Sequence, residues 1–256
     1  MDTEVRDAAT VLLVRDEPTP QGGTAMEVFM VRRHAGSGFV GGHHVFPGGV
    51  VDDADRDPAW SEWCSGAHDA FGVAAVRELL EEAAVLIAVH RETGRQATPS
   101  GDRIAELARD VHSGSLRFID ACAAENIQLG LDSLKLWSHW ITPEGQPRRY
   151  DTRFFVAVAP PDQEAIHDEL ELTEGLWDTP ASFLSQHTEG QVQMILPTVA
   201  NLKSVEGFGR VDELLAAASA KGPISPTTPE MVRESDGSVT ILVDGIAVWT
   251  EPKRLS

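Results

Sequence analysis

Residues 70–89 are the segment that most constrains how this chain can fold. They read AFGVAAVRELLEEAAVLIAV, a helical stretch with few breakers, placed after the tight turn Pro47-Gly48-Gly49 and a polar segment. On a helix, steps of three and four return to nearly the same face, so Glu78, Glu81 and Glu82 project together. Val76, Leu79, Leu80, Ala83 and Ile87 fall mainly on the other side and can pack into a core. Three neighbouring carboxylates repel one another and raise one another's pKa. A Mg²⁺ or Mn²⁺ ion removes that repulsion and suits oxygen ligands. Arg77 can brace a carboxylate, and Gly49 would let a backbone carbonyl approach a metal closely. The plain alternative is a solvated acidic helix face.

The surroundings narrow the fold class. Residues 8–14 and 27–32 read as strands of a hairpin-like pair, followed by a glycine-rich run with a short strand at 44–46. Residues 52–69 are polar, carry two tryptophans and read as an insert. Shorter helices are expected at 102–112 and 116–125, and strands at 134–141 and 149–159. Residues 169–177 are strand or loop. Helices follow at 180–187, 197–205 and 211–220, and two tail strands at 239–243 and 246–249. Strands mixed with irregularly placed helices favour α+β over a regular parallel sheet. The whole of 1–256 is expected to be one elaborated domain, with a helical elaboration near 100–127 and a C-terminal extension near 222–256.

Charge bounds the partners. There are 40 Asp+Glu against 21 Lys+Arg, a formal net charge of −19. That argues against nucleic acid and anionic membrane surfaces as partners. A phosphate-bearing small molecule stays allowed, because a few arginines or a bound cation can reverse the field locally. Only Cys64 and Cys122 are present, which fits a reducing cytoplasm rather than a disulfide scaffold. The N-terminus has no signal-peptide pattern, and the apolar runs are too short to span a bilayer. A homodimer is left open.

On these residues the chain resembles the Nudix hydrolases, whose box is G-x5-E-x7-R-E-U-x-E-E-x-G-U with U aliphatic. Residues 77–85 match it through Arg77, Glu78, Leu79, Glu81, Glu82 and Val85, and Gly49 matches the opening glycine. Two positions depart from the pattern. Ala84 stands in place of the last glycine. Counting back from Arg77, Asp69 stands in place of the first glutamate, one methylene shorter, which leaves 19 residues between Gly49 and Asp69. Such an insertion after SGFVGGHHVFPGGVVD, with downstream blocks such as LWSHWITPEGQPRRYDTRFFVA, is similar to the coenzyme A diphosphatase branch.

The resemblance implies an α/β/α sandwich with a mixed sheet and metal-dependent hydrolysis of a nucleoside diphosphate derivative. Coenzyme A or acyl-coenzyme A is preferred. ADP-ribose, NADH, nucleotide sugars and capped RNA ends are alternatives, as is a non-catalytic nucleotide sensor. Glu78 and Glu82 would be the main metal ligands, with the Gly49 carbonyl beside them. Glu81 would be a further ligand or would position the attacking water, and Arg77 would orient the glutamates. Asp69 would join that network.

Basic residues supply candidates for the substrate. Arg32 and Arg33 sit where coenzyme A enzymes of the superfamily carry basic residues before the box, and alternation lets only one face a cleft. Arg149 and Arg153, with Tyr150, would recognise phosphate and base, or else are ordinary surface residues paired with acids. His43, His44 and His68 lack a zinc-like spacing. Glu171 and Glu174 read as solvated acids.

Overall fold

The computed structural model describes residues 3–20, 22–34, 36, 41–97, 99–165, 172–236 and 238–251. In chain order the elements are β1 (Val5–Pro18), β2 (Thr24–Arg33), β3 (His44–Val45), β4 (Gly48–Val50), α1 (Ala70–Ala83) and β5 (Ala88–His90). Next come α2 (Gly101–His112), α3 (Phe118–Glu125), β6 (Ile127–Leu129), β7 (Lys135–Ile141), β8 (Arg149–Val158) and β9 (Leu172–Asp178). The chain continues through α4 (Pro180–Thr188), α5 (Leu196–Val205), α6 (Val211–Ala220), β10 (Glu230–Arg233), β11 (Val239–Val243) and β12 (Ile246–Glu251). Two 3₁₀ turns, Asp53–Arg56 and Pro58–Glu62, lie between β4 and α1.

A mixed seven-stranded sheet forms the centre. β1 pairs antiparallel with β2 and parallel with β8, β7 flanks β8, and β9 flanks β2. Alternation along β1 builds two cores. Ala9, Val11 and Leu13 face α1, the helices α2 and α3, and the inserted Trp60. Leu12 and Val14 face α4, α5 and α6 through Phe183, Leu202 and Leu214. This is an α/β/α sandwich of the α+β class. Burying each of those three side chains contributes roughly 1.5–3 kcal/mol. Among the described residues no helix is long and apolar enough to cross a membrane.

Several expected boundaries moved. β1 is longer than residues 8–14 because its partner strands run on at both ends. The strands β4, β5, β6 and β10 were not expected, and Gly48-Gly49, read as part of a tight turn, open β4; all are short, and their pairing partners are distant in sequence or outside any clear alternation. The helix expected at 70–89 stops at Ala83. Ala84 adopts the left-handed conformation, φ 51° and ψ 36°, and its N–H and that of Val85 turn back to the Leu80 and Leu79 carbonyls. The alanine therefore keeps the turn for which the box carries glycine, at a steric cost of about 1 kcal/mol. Ala84→Gly should accordingly raise unfolding free energy by about 1 kcal/mol. Urea titration would show it, and an unchanged or lower midpoint would contradict it.

Candidate active site

The glycine turn is set by a split in the sheet. Beyond Val28, β1 and β2 separate, and residues 44–50 enter between them. β3 pairs with β2 through Val31↔Val45 and Arg32↔His44, while β4 pairs with β1 through Ala9↔Gly49. The Val11 N–H donates to the Pro47 carbonyl at 2.9 Å. A Cβ on Gly48 would lie 2.4 Å from the Ala9 carbonyl oxygen. On Gly49 it would lie 2.4–2.6 Å from the Glu78 carboxylate atoms. Gly48 is thus required by close approach of backbone, whereas at Gly49 a side chain would displace the Glu78 carboxylate, which the glycine leaves against bare backbone.

α1 brings its acids to that turn. Val73, Val76, Leu79, Leu80 and Ala83 are fully buried, and so is most of the helix circumference. Glu82 is only 4% exposed, so this is not a solvated acidic face. Its Oε2 accepts the Gly48 N–H at 2.8 Å. Arg33 Nη2 lies 3.4 Å from Glu82 Oε1 and 3.4 Å from the Gly48 carbonyl.

Arg77 organises the rest. Its Nε and Nη2 donate to the two oxygens of Asp55 at 3.0 and 2.9 Å, a bidentate pair. Nη2 also donates to the Val50 carbonyl at 2.8 Å. Nη1 donates to Glu78 Oε1 at 2.8 Å and Glu81 Oε1 at 3.2 Å. Burial opposes the Arg77 charge, but the Asp55 hydrogen bond and the Glu78 charge outweigh it and hold the guanidinium protonated. Five carboxylates (Asp52, Asp55, Glu78, Glu81 and Glu82) meet two guanidinium groups here, a formal excess of three negative charges. That excess and the all-oxygen donor set match a hard divalent cation.

Glu78 carries the strain of this excess. Burial, only partly offset by Arg77 and reinforced by the Glu81 charge, pushes its carboxyl up to about 7. The ordinary value is 4.5. Below pH 4.5 the folded and unfolded chains both hold the proton. As pH rises from there to about 7, the unfolded chain releases it first, so stability falls. Above about pH 7 the loss is complete, on the order of 3 kcal/mol. Urea unfolding in a chelator at about pH 5 and about pH 8 should show that loss, and Glu78→Gln should flatten it. Equal pH slopes for the two proteins would refute the assignment.

The structure brings together Gly49, Arg77, Glu78, Glu81, Glu82 and Arg33. It does not place Asp69 beside Arg77. Asp69 caps the start of α1, accepting the Phe71 N–H at 3.3 Å, and meets Arg153 at 3.3 Å. The acid at Arg77 is Asp55, 1% exposed. Five residues separate Gly49 from Asp55, as in the box, so the insertion lies between Asp55 and Arg77. Counting forward from Gly49 would have found it; counting back from Arg77 crosses the insertion.

The other basic candidates lie elsewhere. Arg32 is exposed and registers opposite Glu174 on the face away from α1. Arg153 stacks 3.7 Å from the Phe71 ring centroid, at the far end of α1 from the acids. Arg149 Nε donates to the Thr142 carbonyl at 3.1 Å. Alternation along β8 sends Tyr150 to the opposite face from Arg149 and Arg153. Glu171 lies outside the described residues. One residue with no signal in the box, His112 at the end of α2, places Nδ1 3.3 Å from Glu81 Oε2.

A sequence model of the NUDT19 Nudix domain matches residues 64–205, more than half the chain. The chain is 25% identical to the acyl-coenzyme A diphosphatase NUDT19 of Gallus gallus, over 82% of this chain and 70% of that protein. It is 24% identical to the Homo sapiens protein of the same name, over 93% and 78%. Its fold is similar to a NUDIX hydrolase from Alicyclobacillus acidocaldarius, with TM-score 0.69 and 30% identity over 86% of this chain and 99% of that one.

Proposed function

The chain belongs to the Nudix hydrolases, and on that premise we propose that it cleaves the pyrophosphate link of coenzyme A or an acyl-coenzyme A. The products would be 3′,5′-ADP and phosphopantetheine or its acyl form. Similarity to two proteins named acyl-coenzyme A diphosphatase supports the substrate class. One observation carries the chemistry. Glu78 and Glu82, from a buried helix face, both close on the Gly48-Gly49 turn, where a side chain at Gly49 would displace the Glu78 carboxylate.

Glu78, Glu82 and the Gly49 carbonyl are the groups we assign to a Mg²⁺ or Mn²⁺ ion. When bound, such a cation supplies charge neutralisation for a pyrophosphate and makes water more acidic. Arg77, clamped by Asp55, keeps Glu78 and Glu81 from swinging apart. Glu81 stands beside that pair and is the group we assign to orienting the attacking water. Arg33, alone among the basic candidates in reaching the acids, is assigned to a substrate phosphate. No covalent intermediate is needed. We further read the insert and the α2–α3 segment as parts of the same domain, because Trp60, Leu107 and Phe118 share one core with α1.

A panel of diphosphates assayed with Mg²⁺ and with Mn²⁺, with products read by mass, tests this. Coenzyme A or an acyl-coenzyme A should be the preferred substrate. Faster cleavage of ADP-ribose or NADH would overturn the substrate, and binding without cleavage of any member would overturn the enzyme reading.

A further inference from the structure

We propose that His112 is a positioning residue for this hydrolysis, acting through Glu81, so that the helical elaboration of the fold completes the active site. The proposal rests on the Nudix reading above and goes beyond the box. Glu81 differs from its two neighbours on α1. Glu82 is bonded to the glycine turn, and Glu78 lies against it. Glu81 is instead held from two sides by side chains. Arg77 Nη1 reaches Oε1 at 3.2 Å, and His112 Nδ1 stands 3.3 Å from Oε2. The imidazole thus closes on the second carboxylate oxygen, and Glu81 is flanked at both oxygens, by Arg77 on one and His112 on the other. A carboxylate flanked at both oxygens has little room to rotate about its terminal bond, so its lone pairs keep their direction.

The grip depends on how α2 is built. Ile104, Leu107, Ala108 and Val111 form its buried face and seat it on α1. Ser100 caps its start, accepting the Arg103 N–H at 3.4 Å. His112 follows the last of those anchors, so packing of α2 determines where the imidazole lands. Its side chain is 26% exposed and Glu81's 12%, so the pair borders solvent rather than the deep core. A water between the site and solvent can therefore reach Glu81. No box position encodes such a contact, since its second partner arrives from 31 residues downstream.

Kinetics of three variants test the proposal. Asn carries an amide nitrogen one bond from Cγ, as Nδ1 is, whereas the Gln nitrogen is one bond further out. His112→Ala and His112→Gln should each lower kcat about tenfold, with KM within about twofold of the parent. His112→Asn should stay within about threefold of it. A second readout needs no turnover. In the intact 256-residue chain held in a chelator, the imidazole ¹⁵N signals missing from His112→Asn identify His112, and Glu81→Gln should move them. His112→Ala within about twofold of the parent, equal loss in the Asn and Gln variants, or unmoved imidazole signals would each overturn the proposal. A parent protein that cleaves no diphosphate would instead overturn the underlying enzyme reading, and this one with it.

Discussion

Glu82→Gln should lose turnover by a factor of about a hundred or more, with either Mg²⁺ or Mn²⁺ supplied. The substitution is close to isosteric. The amide oxygen it introduces can still accept the Gly48 N–H that Glu82 Oε2 accepts at 2.8 Å, so the glycine turn keeps its partner. What is removed is one negative charge, at a position only 4% exposed, together with the acceptor that faces Arg33 Nη2 at 3.4 Å. The excess of acid over base at the site falls, and like-charge repulsion with it, so thermal stability in a chelator should hold or rise. Loss of activity with retained stability separates a chemical role from a folding role. The readout is kcat on the preferred diphosphate, with melting temperature measured on the same samples. A variant keeping more than about a tenth of the parent rate would remove Glu82 from the proposed cation site.

Replacing Arg77 by methionine should be the most destabilising single change in this region, at roughly 3–5 kcal/mol. Asp55 is 1% exposed; it accepts one backbone N–H, from Asp52 at 2.9 Å, and among the described residues takes its only close charged donors from this guanidinium. Without it, a buried carboxylate is stranded, Glu78 and Glu81 lose their shared counter-charge, and the Val50 carbonyl loses its donor. At about 2–4 °C per kcal/mol for a chain of this size, the melting point should drop on the order of 10 °C. Arg77→Lys should recover little, because an ammonium cannot reproduce the planar fork. A double-mutant cycle identifies the partner. Asp55→Asn should couple to Arg77→Met by about 1 kcal/mol or more. Asp69→Asn, a change Asn tolerates at a helix N-cap, should be close to additive with it. Equal coupling of Asp69 and Asp55 to Arg77 would contradict the pairing described above.

Much of the framework was legible in the residues alone. The helix limits at 211–220 were read correctly, as were the types of β1, β2, β7, β8 and α1–α6, because those segments carry strong local periodicity and clear breakers. The grouping of Glu78, Glu81 and Glu82 was legible for the same reason, since about 3.6 residues per turn holds whatever the rest of the chain does. The choice between Arg32 and Arg33 was narrowed to one by strand alternation, and only the sheet split shows that Arg33 is the one facing the acids. Ala84 misled the helix boundary, since nothing in its side chain announces a left-handed residue.

The residues alone were enough for the acidic helix face, the glycine turn and the α+β class, since these follow from local spacing and the order of elements, while the layered arrangement came from the family resemblance. The tertiary structure decided which acid braces Arg77, whether the acidic face is buried, and which distant side chain grips Glu81. Those choices depend on contacts between segments tens of residues apart. An insertion shifts the count between such segments without changing their meeting point, so spacing proposed Asp69 where the fold put Asp55. A contact such as His112 with Glu81 leaves no periodic trace, because it is fixed by the packing of one helix on another.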